Sequence, residues 1–408
     1  MDRPAERLAD RLATARAHRQ ERRRHRRRRA LEPLPGMRVR AAGKVLHNFS
    51  SNDYLGLAGE PFPGAATGSG ASALVTGYQP AHEALERALA AFLDREAVLL
   101  TSSGYLANFA ALTALAGRGD TIVQDRLCHA SLVDAAKLSG AGLRRYPHAD
   151  PAAAARQLEA AGGHRLLVTD GVFSMDGDFA PVAELAALAR REGATLVVDD
   201  AHGIGVLGAT GRGLCEGSGL DAGDVPVLIG TLGKAFGVAG AFIAGSRSLV
   251  EHLENHARSI IYSTALPPAM AEAGLAALER LSTGSDLRER LSERIDQLRR
   301  GAAERGIDLL PSETPIQPLV IGAEEDALAL SAALEERGYL VTAIRPPTVP
   351  VGTSRLRITL SAAHAPEQVI GLLDALAGAL ADLAESAPER ATDPSHDGDP
   401  PVGREPGP

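Results

Sequence analysis

Short apolar runs alternate with longer amphipathic stretches through the middle of this chain. Ala97–Thr101, Thr121–Gln124, Arg165–Thr169, Thr195–Asp199, Val225–Ile229 and Gly240–Ala244 are mostly apolar and show little alternation. Such runs predict strands buried on both faces, as in a parallel sheet. Leu106–Leu115, Ser131–Leu138 and Pro181–Arg191 have helical periodicity, the last with proline early, where a helix tolerates it. The repeated β-α order predicts an α/β fold with a mostly parallel central sheet and helices on both faces.

Outside this region the pattern changes. Leu8, Leu12 and Ala15 recur at helical spacing, predicting a helix through about Arg29, which Pro33, Pro35 and Gly36 bring to an end. Val45–Phe49 reads as a strand, and Ser50–Leu57 as a turn rich in hydrogen-bonding groups. A glycine-rich loop, 64–77, leads to a helix over Glu83–Leu93. Towards the C-terminus, Ser246–His256, a long stretch from Pro267 to about Leu281, Leu287–Arg305, Ala327–Arg337 and Pro366–Leu383 read as helices. Ile316–Ile321, Leu340–Thr342 and Arg355–Thr359 read as strands. The pattern divides the chain into a basic arm (1–40), a large α/β domain (41–265), an interdomain helix with a smaller α+β domain (266–385), and a tail (386–408). The tail is rich in Pro, Asp and Gly and is expected to be disordered.

Composition narrows the class. With 408 residues, 3% aromatics and no Trp, the core must be built from Leu, Val, Ile and Ala. Cys128 and Cys215 give no disulfide framework and no zinc spacing, so a metal is not expected and a reducing cytoplasm is. No apolar run reaches membrane-spanning length, and no membrane partner is expected. The net charge of −8 argues against a general nucleic-acid binder. The block Arg22–Arg29 is the exception: it is either a solvated helix face or a phosphate-binding patch.

Against that background one lysine stands out. Lys44, Lys137 and Lys234 are the only lysines, and Lys234 sits in Gly230-Thr231-Leu232-Gly233-Lys234-Ala235-Phe236-Gly237, directly after an apolar run. A strand end followed by a small-residue loop puts an amine at the rim of a sheet, where the aldehyde of pyridoxal 5'-phosphate (PLP) can reach it. A surface lysine in a turn is the plain alternative. Upstream, Thr195–Asp199 ends in Asp199-Asp200-Ala201-His202-Gly203, at the kind of strand end where open α/β sheets place ligands. Asp199 there would keep a pyridine nitrogen protonated, although a capping aspartate would look the same. Ser102-Ser103-Gly104-Tyr105, between a strand and a helix, makes an anion site for the cofactor phosphate.

Taken together, Ser50–Leu57, Asp125–Ser131, Asp170–Gly177, Val198–Gly203 and Gly233–Gly237 resemble the motifs of the α-oxoamine synthases. These are fold-type I PLP-dependent transferases that join an amino acid to an acyl thioester with loss of carbon dioxide. The resemblance covers about residues 40–385. The run Val341–Pro350, with Ile316–Leu319 before it, is most similar to the family member that joins L-alanine to a pimeloyl thioester, carried on coenzyme A or an acyl carrier protein, in biotin biosynthesis. Sister enzymes using glycine or serine are the nearest alternative, and a PLP-fold protein binding nucleic acid through its arginine arm is a remote one.

The resemblance implies roles. Lys234 would hold PLP and move the Cα proton, Asp199 would pair with the ring nitrogen, and His129 would stack on the ring. His202 and Ser174 would approach the ring hydroxyl. Gly104, Tyr105 and Thr231 would serve the phosphate. Arg345 would clamp the alanine carboxylate with help from Asn52, and Thr348 would lie near the acyl chain. His82 is matched in position, with a structural role equally open. An arginine of the N-terminal arm contacts substrate in relatives, and counting back from Asn52 points to Arg26. A homodimer with shared sites is implied, with Ser263 and Thr264 reaching the partner's cofactor.

Overall fold

The computed structural model describes residues 28–59 and 66–386, together with Leu8, Leu12 and Ala13. Most of the predicted arm helix, the Arg26 assignment and the tail therefore lie outside the described residues. Three short strands open the chain: β1 (Glu32–Leu34), β2 (Arg38–Ala41) and β3 (Lys44–Asn48), paired antiparallel in that order. β1 is a three-residue, mostly exposed strand and β2 a basic, half-exposed one, neither with an apolar run, which is why periodicity gives no sign of them.

The central sheet has seven strands: β4 (Ala97–Thr101), β5 (Thr121–Asp125), β6 (Gly142–Tyr146), β7 (Arg165–Asp170), β8 (Thr195–Asp199), β9 (Val227–Thr231) and β10 (Ala241–Gly245). Their spatial order is β4-β10-β9-β8-β7-β5-β6, and only β10 runs antiparallel to its neighbours. β6 carries Arg144 and Arg145 at the sheet edge, and its exposed face hides it from an apolar-run search. β9 begins two residues later than its apolar run because Pro226 has no N–H to give to a ladder.

The unalternating runs behave as a doubly covered sheet requires. Leu196 and Val198 pack into the core on one face, and Val197 into that on the other. Helices Gly104–Leu115 and Ala130–Ser139 pack against each other over the second face. Parallel register brings strand ends into line: Asp170 at the end of β7 pairs with Asp199 at the end of β8, and Asp199 pairs with Ile229 of β9. The ends of β5, β7, β8 and β9 therefore form one rim.

Beyond the sheet, helices Pro268–Thr283 and Ser285–Glu304 lead to β11 (Ile316–Gly322), β12 (Tyr339–Leu340), β13 (Thr342–Ile344) and β14 (Ser354–Thr359). The single strand expected over Leu340–Thr342 is two strands in two sheets. β12 joins the N-terminal sheet beside β3, whereas β13 pairs with β14. Between them, Val341 is buried at the crossing point. Helices Glu324–Glu336 and Pro366–Ser386 cover this region.

Candidate active site

A cleft of about 180 Å³ opens on the rim of the central sheet. Gly104, Tyr105, His129, Ser174, Asp199, His202, Thr231 and Lys234 all line it, with Asn108, Ser131, Asp170 and Ala201. Residues spread over more than a hundred positions thus converge because four strand ends and one helix start share an edge.

The helix Gly104–Leu115 begins here. Ser103 caps it, its hydroxyl accepting the Leu106 N–H at 3.3 Å. The N–H groups of Gly104 and Tyr105 belong to the first turn, which has no intrahelical acceptors, so they suit an anion. Thr231 lines the same end. Its hydroxyl donates to the Gly240 carbonyl (3.0 Å) and accepts from the Gly233 N–H (3.1 Å), so its proton must leave that carbonyl to serve a phosphate.

Asp199 is buried, and each of its oxygens already holds one donor: Asn108 Nδ2 at 2.6 Å and the Ala201 N–H at 3.1 Å. Asn108 also donates to Ser131 Oγ at 2.8 Å. Next to it, Asp170 accepts the His129 N–H at 2.8 Å. Burial and then the neighbouring Asp199 push the Asp170 carboxyl well above the usual range. Burial lowers His129, favouring a neutral ring, and its Nδ1 lies 2.7 Å from Ser131 Oγ. Desolvation lowers the Lys234 amine to about 8, against the opposing pull of Asp199 and Asp170.

The substrate-side expectations fare differently. Arg345 does not line the cleft: its guanidinium forms an ion pair with Glu324, at the start of the helix Glu324–Glu336. Thr348 is exposed on the following loop, its N–H donating to the Arg345 carbonyl at 3.1 Å. Neither lines the cleft. Arg357 on β14, which sequence reasoning passed over, does not line the cleft either, but it bonds the carbonyl of Ser174, which does. Arg357 is buried, donates from Nε to the Ser174 carbonyl at 2.6 Å, and reaches Asn52 Oδ1 with both Nη atoms at 3.1 Å. Its charge contributes to lowering both Lys234 and His202. The available signal was an arginine pair, Arg355 and Arg357, inside a strand whose every residue is buried. His82 is a core residue: Nε2 lies 2.6 Å from the Leu266 carbonyl and Nδ1 accepts the Gln79 N–H, which favours the structural reading.

Residues 44–376 match the family described as aminotransferase class I and II. A curated 8-amino-7-oxononanoate synthase of Alkalilimnicola ehrlichii is 59% identical over 346 residues, 82% of this chain and 88% of that protein. The chain belongs to the 8-amino-7-oxononanoate synthase family. A solved 8-amino-7-oxononanoate synthase from Francisella tularensis superposes with a TM-score of 0.70 at 28% identity, over 83% of this chain and 98% of that one. A serine palmitoyltransferase from S. paucimobilis, solved with a bound PLP–myriocin aldimine, gives a TM-score of 0.83 at 27% identity, over 87% and 93% of the two chains. The two solved structures share the fold at like identity, and it is the 59% identity to the curated synthase that separates this family from the serine palmitoyltransferase.

Proposed function

We propose that this chain condenses L-alanine with a pimeloyl thioester to give 8-amino-7-oxononanoate, carbon dioxide and the free thiol. One observation carries the reading: a chain 59% identical to a named synthase gathers Lys234, Asp199, His129 and a helix N-terminus in one cleft. That donor set fits PLP, the cofactor of this enzyme class. The desolvated Lys234 amine would take the aldehyde, the buried Asp199 carboxylate the pyridine nitrogen and the neutral His129 imidazole the ring face, while the N–H groups of Gly104 and Tyr105 would take the phosphate. When bound, PLP supplies an electron sink for the Cα electrons of the amino acid.

The residues of the chain do the rest. Lys234 holds the cofactor and then takes and returns the proton at alanine Cα, for which an amine near neutral pKa is well matched. Asp199, kept in place by Asn108 and the Ala201 N–H, keeps the ring nitrogen protonated. His202 and Ser174, which line the cleft, would hold the ring hydroxyl. Arg357 with Asn52, in place of Arg345, holds the alanine carboxylate and so sets which Cα bond lies across the ring.

Assembly as a homodimer supports the site. Leu74, Val75 and Tyr262 are exposed beside the Ser72–Thr264 bridge, and a second copy would cover them while bringing Ser263 and Thr264 to its partner's cofactor. No helix among the described residues is long and apolar enough to cross a membrane; a cytoplasmic location suits a reduced pair of cysteines.

Purified protein with PLP and pimeloyl-CoA, offered alanine, glycine or serine in turn, tests the reading. Thiol release with alanine well above the others is expected. Preference for glycine or serine would assign the chain to a sister activity.

A further inference from the structure

Tyr54 is fully buried, and its phenol sits between two groups of the site. The hydroxyl oxygen lies 2.5 Å from His202 Nδ1 and 3.3 Å from Asn52 Oδ1. A phenol has one proton, so it can serve one of these acceptors. Asn52 Oδ1 already accepts two N–H bonds from the Arg357 guanidinium. The shorter contact is to the histidine, and the Arg357 guanidinium already lies against the phenol oxygen, which leaves that oxygen to give its proton to Nδ1 and not to accept one from it. The proton therefore lies on the tyrosine oxygen and points at Nδ1.

His202 is neutral at working pH. Burial, then the positive charges of Lys234 and Arg357, lower it well below an ordinary histidine. A neutral imidazole has one N–H and one lone pair. With the Nδ1 lone pair taken by Tyr54, the proton belongs on Nε2. Among the described residues Nε2 has no hydrogen-bond partner, and His202 lines the cleft.

We propose that Tyr54 is a positioning residue that locks His202 in its Nε2–H tautomer, so that the cleft receives a hydrogen-bond donor and no basic lone pair. The relay runs Arg357, Asn52, Tyr54, His202: the arginine occupies the amide oxygen, which leaves the phenol proton to the imidazole. The consequence for catalysis rests on the reading that the cleft holds PLP, where an Nε2–H would hold the ring hydroxyl oxygen in its anionic form. The tautomer itself does not rest on that reading.

The test begins with full-length, cofactor-free protein labelled with 15N-histidine, in which the His202 resonances are assigned by their loss in His202→Gln. The expected wild-type spectrum shows one tautomer, protonated at Nε2. Tyr54→Phe keeps the ring and removes only the hydroxyl, and there His202 should become a mixture of tautomers. PLP affinity, read from its visible absorbance, should fall by about three- to tenfold, the range for losing one neutral hydrogen bond. An Nδ1–H tautomer in the wild type, which needs no variant, would overturn the proposal, as would an unchanged Nε2–H tautomer in Tyr54→Phe. Failure of the wild type to bind PLP would count against the cofactor reading and leave the tautomer result standing.

Discussion

Arg357 grips Asn52 through both terminal nitrogens, each 3.1 Å from the amide oxygen, while its Nε holds the Ser174 carbonyl. This fork joins β14, the Asn52 turn and the loop after β7 at the edge of the cleft. Arg345, by contrast, is paired with Glu324. Charge-assisted hydrogen bonds contribute about 1.5–3 kcal/mol each. Arg357→Leu should therefore weaken alanine binding by at least about tenfold. Arg357→Lys keeps the charge, loses the fork and should fall in between. Arg345→Leu should change alanine affinity by less than about twofold. Titrating the visible spectrum of the PLP-loaded variants with alanine gives the order, and a larger effect at Arg345 would restore the clamp to that residue.

Lys234→Ala should abolish turnover while leaving PLP able to bind weakly through its phosphate end. Neither Lys44 nor Lys137 lines the cleft, so no other lysine can take over. Alanine-dependent thiol release from this variant would remove Lys234 from the mechanism.

The Lys234 amine titrates at about 8 in the cofactor-free protein, chiefly because burial disfavours its charge. Only the neutral amine attacks an aldehyde. The rate at which cofactor-free protein couples to PLP should thus rise with pH through about 8 and level off above it. Stopped-flow absorbance over this range is the measurement, and a rise delayed towards pH 10, where an ordinary lysine titrates, would show that the amine is not desolvated.

His148 ties two loops of the site together. Its Nδ1 lies 3.2 Å from Asp125, the last residue of β5 before the loop to His129, and its Nε2 lies 2.7 Å from Asp178, on the loop carrying Ser174. Burial alone would lower it, but the hydrogen bonds to both aspartates outweigh burial and raise it to about 10. A folded pKa above the unfolded value near 6.5 gives stability that is complete below that value and is lost as pH rises through about 10. Wild type should therefore lose more stability than His148→Gln between pH 7 and 10. Urea midpoints of both proteins at each pH decide it, and parallel curves would show that the strap carries no charge.

The parts of this site that declare themselves in sequence are those at the ends of apolar runs. Asp199, Asp170 and the Lys234 loop mark the points where a buried strand stops, so their chemistry and their place on the rim can be read together. Arg357 hides for the opposite reason. It lies inside a strand, where position along the chain says nothing of which buried side chain reaches Asn52 and Ser174. Asn108 hides in a helix and matters only because its amide meets Asp199 across the fold. The split between β12 and β13 is invisible for a similar reason: Val341 is as apolar as its neighbours, and only the presence of two separate sheets breaks the run.

The most direct test of the central claim follows both products of the lost bond. PLP-loaded protein is given carboxyl-labelled L-alanine and pimeloyl-CoA, and labelled carbon dioxide and free thiol are counted together with the mass of the organic product. The account predicts one carbon dioxide for each thiol released and a product with the mass of 8-amino-7-oxononanoate. Thiol release with the alanine carboxyl retained, or no thiol release at all, would contradict it.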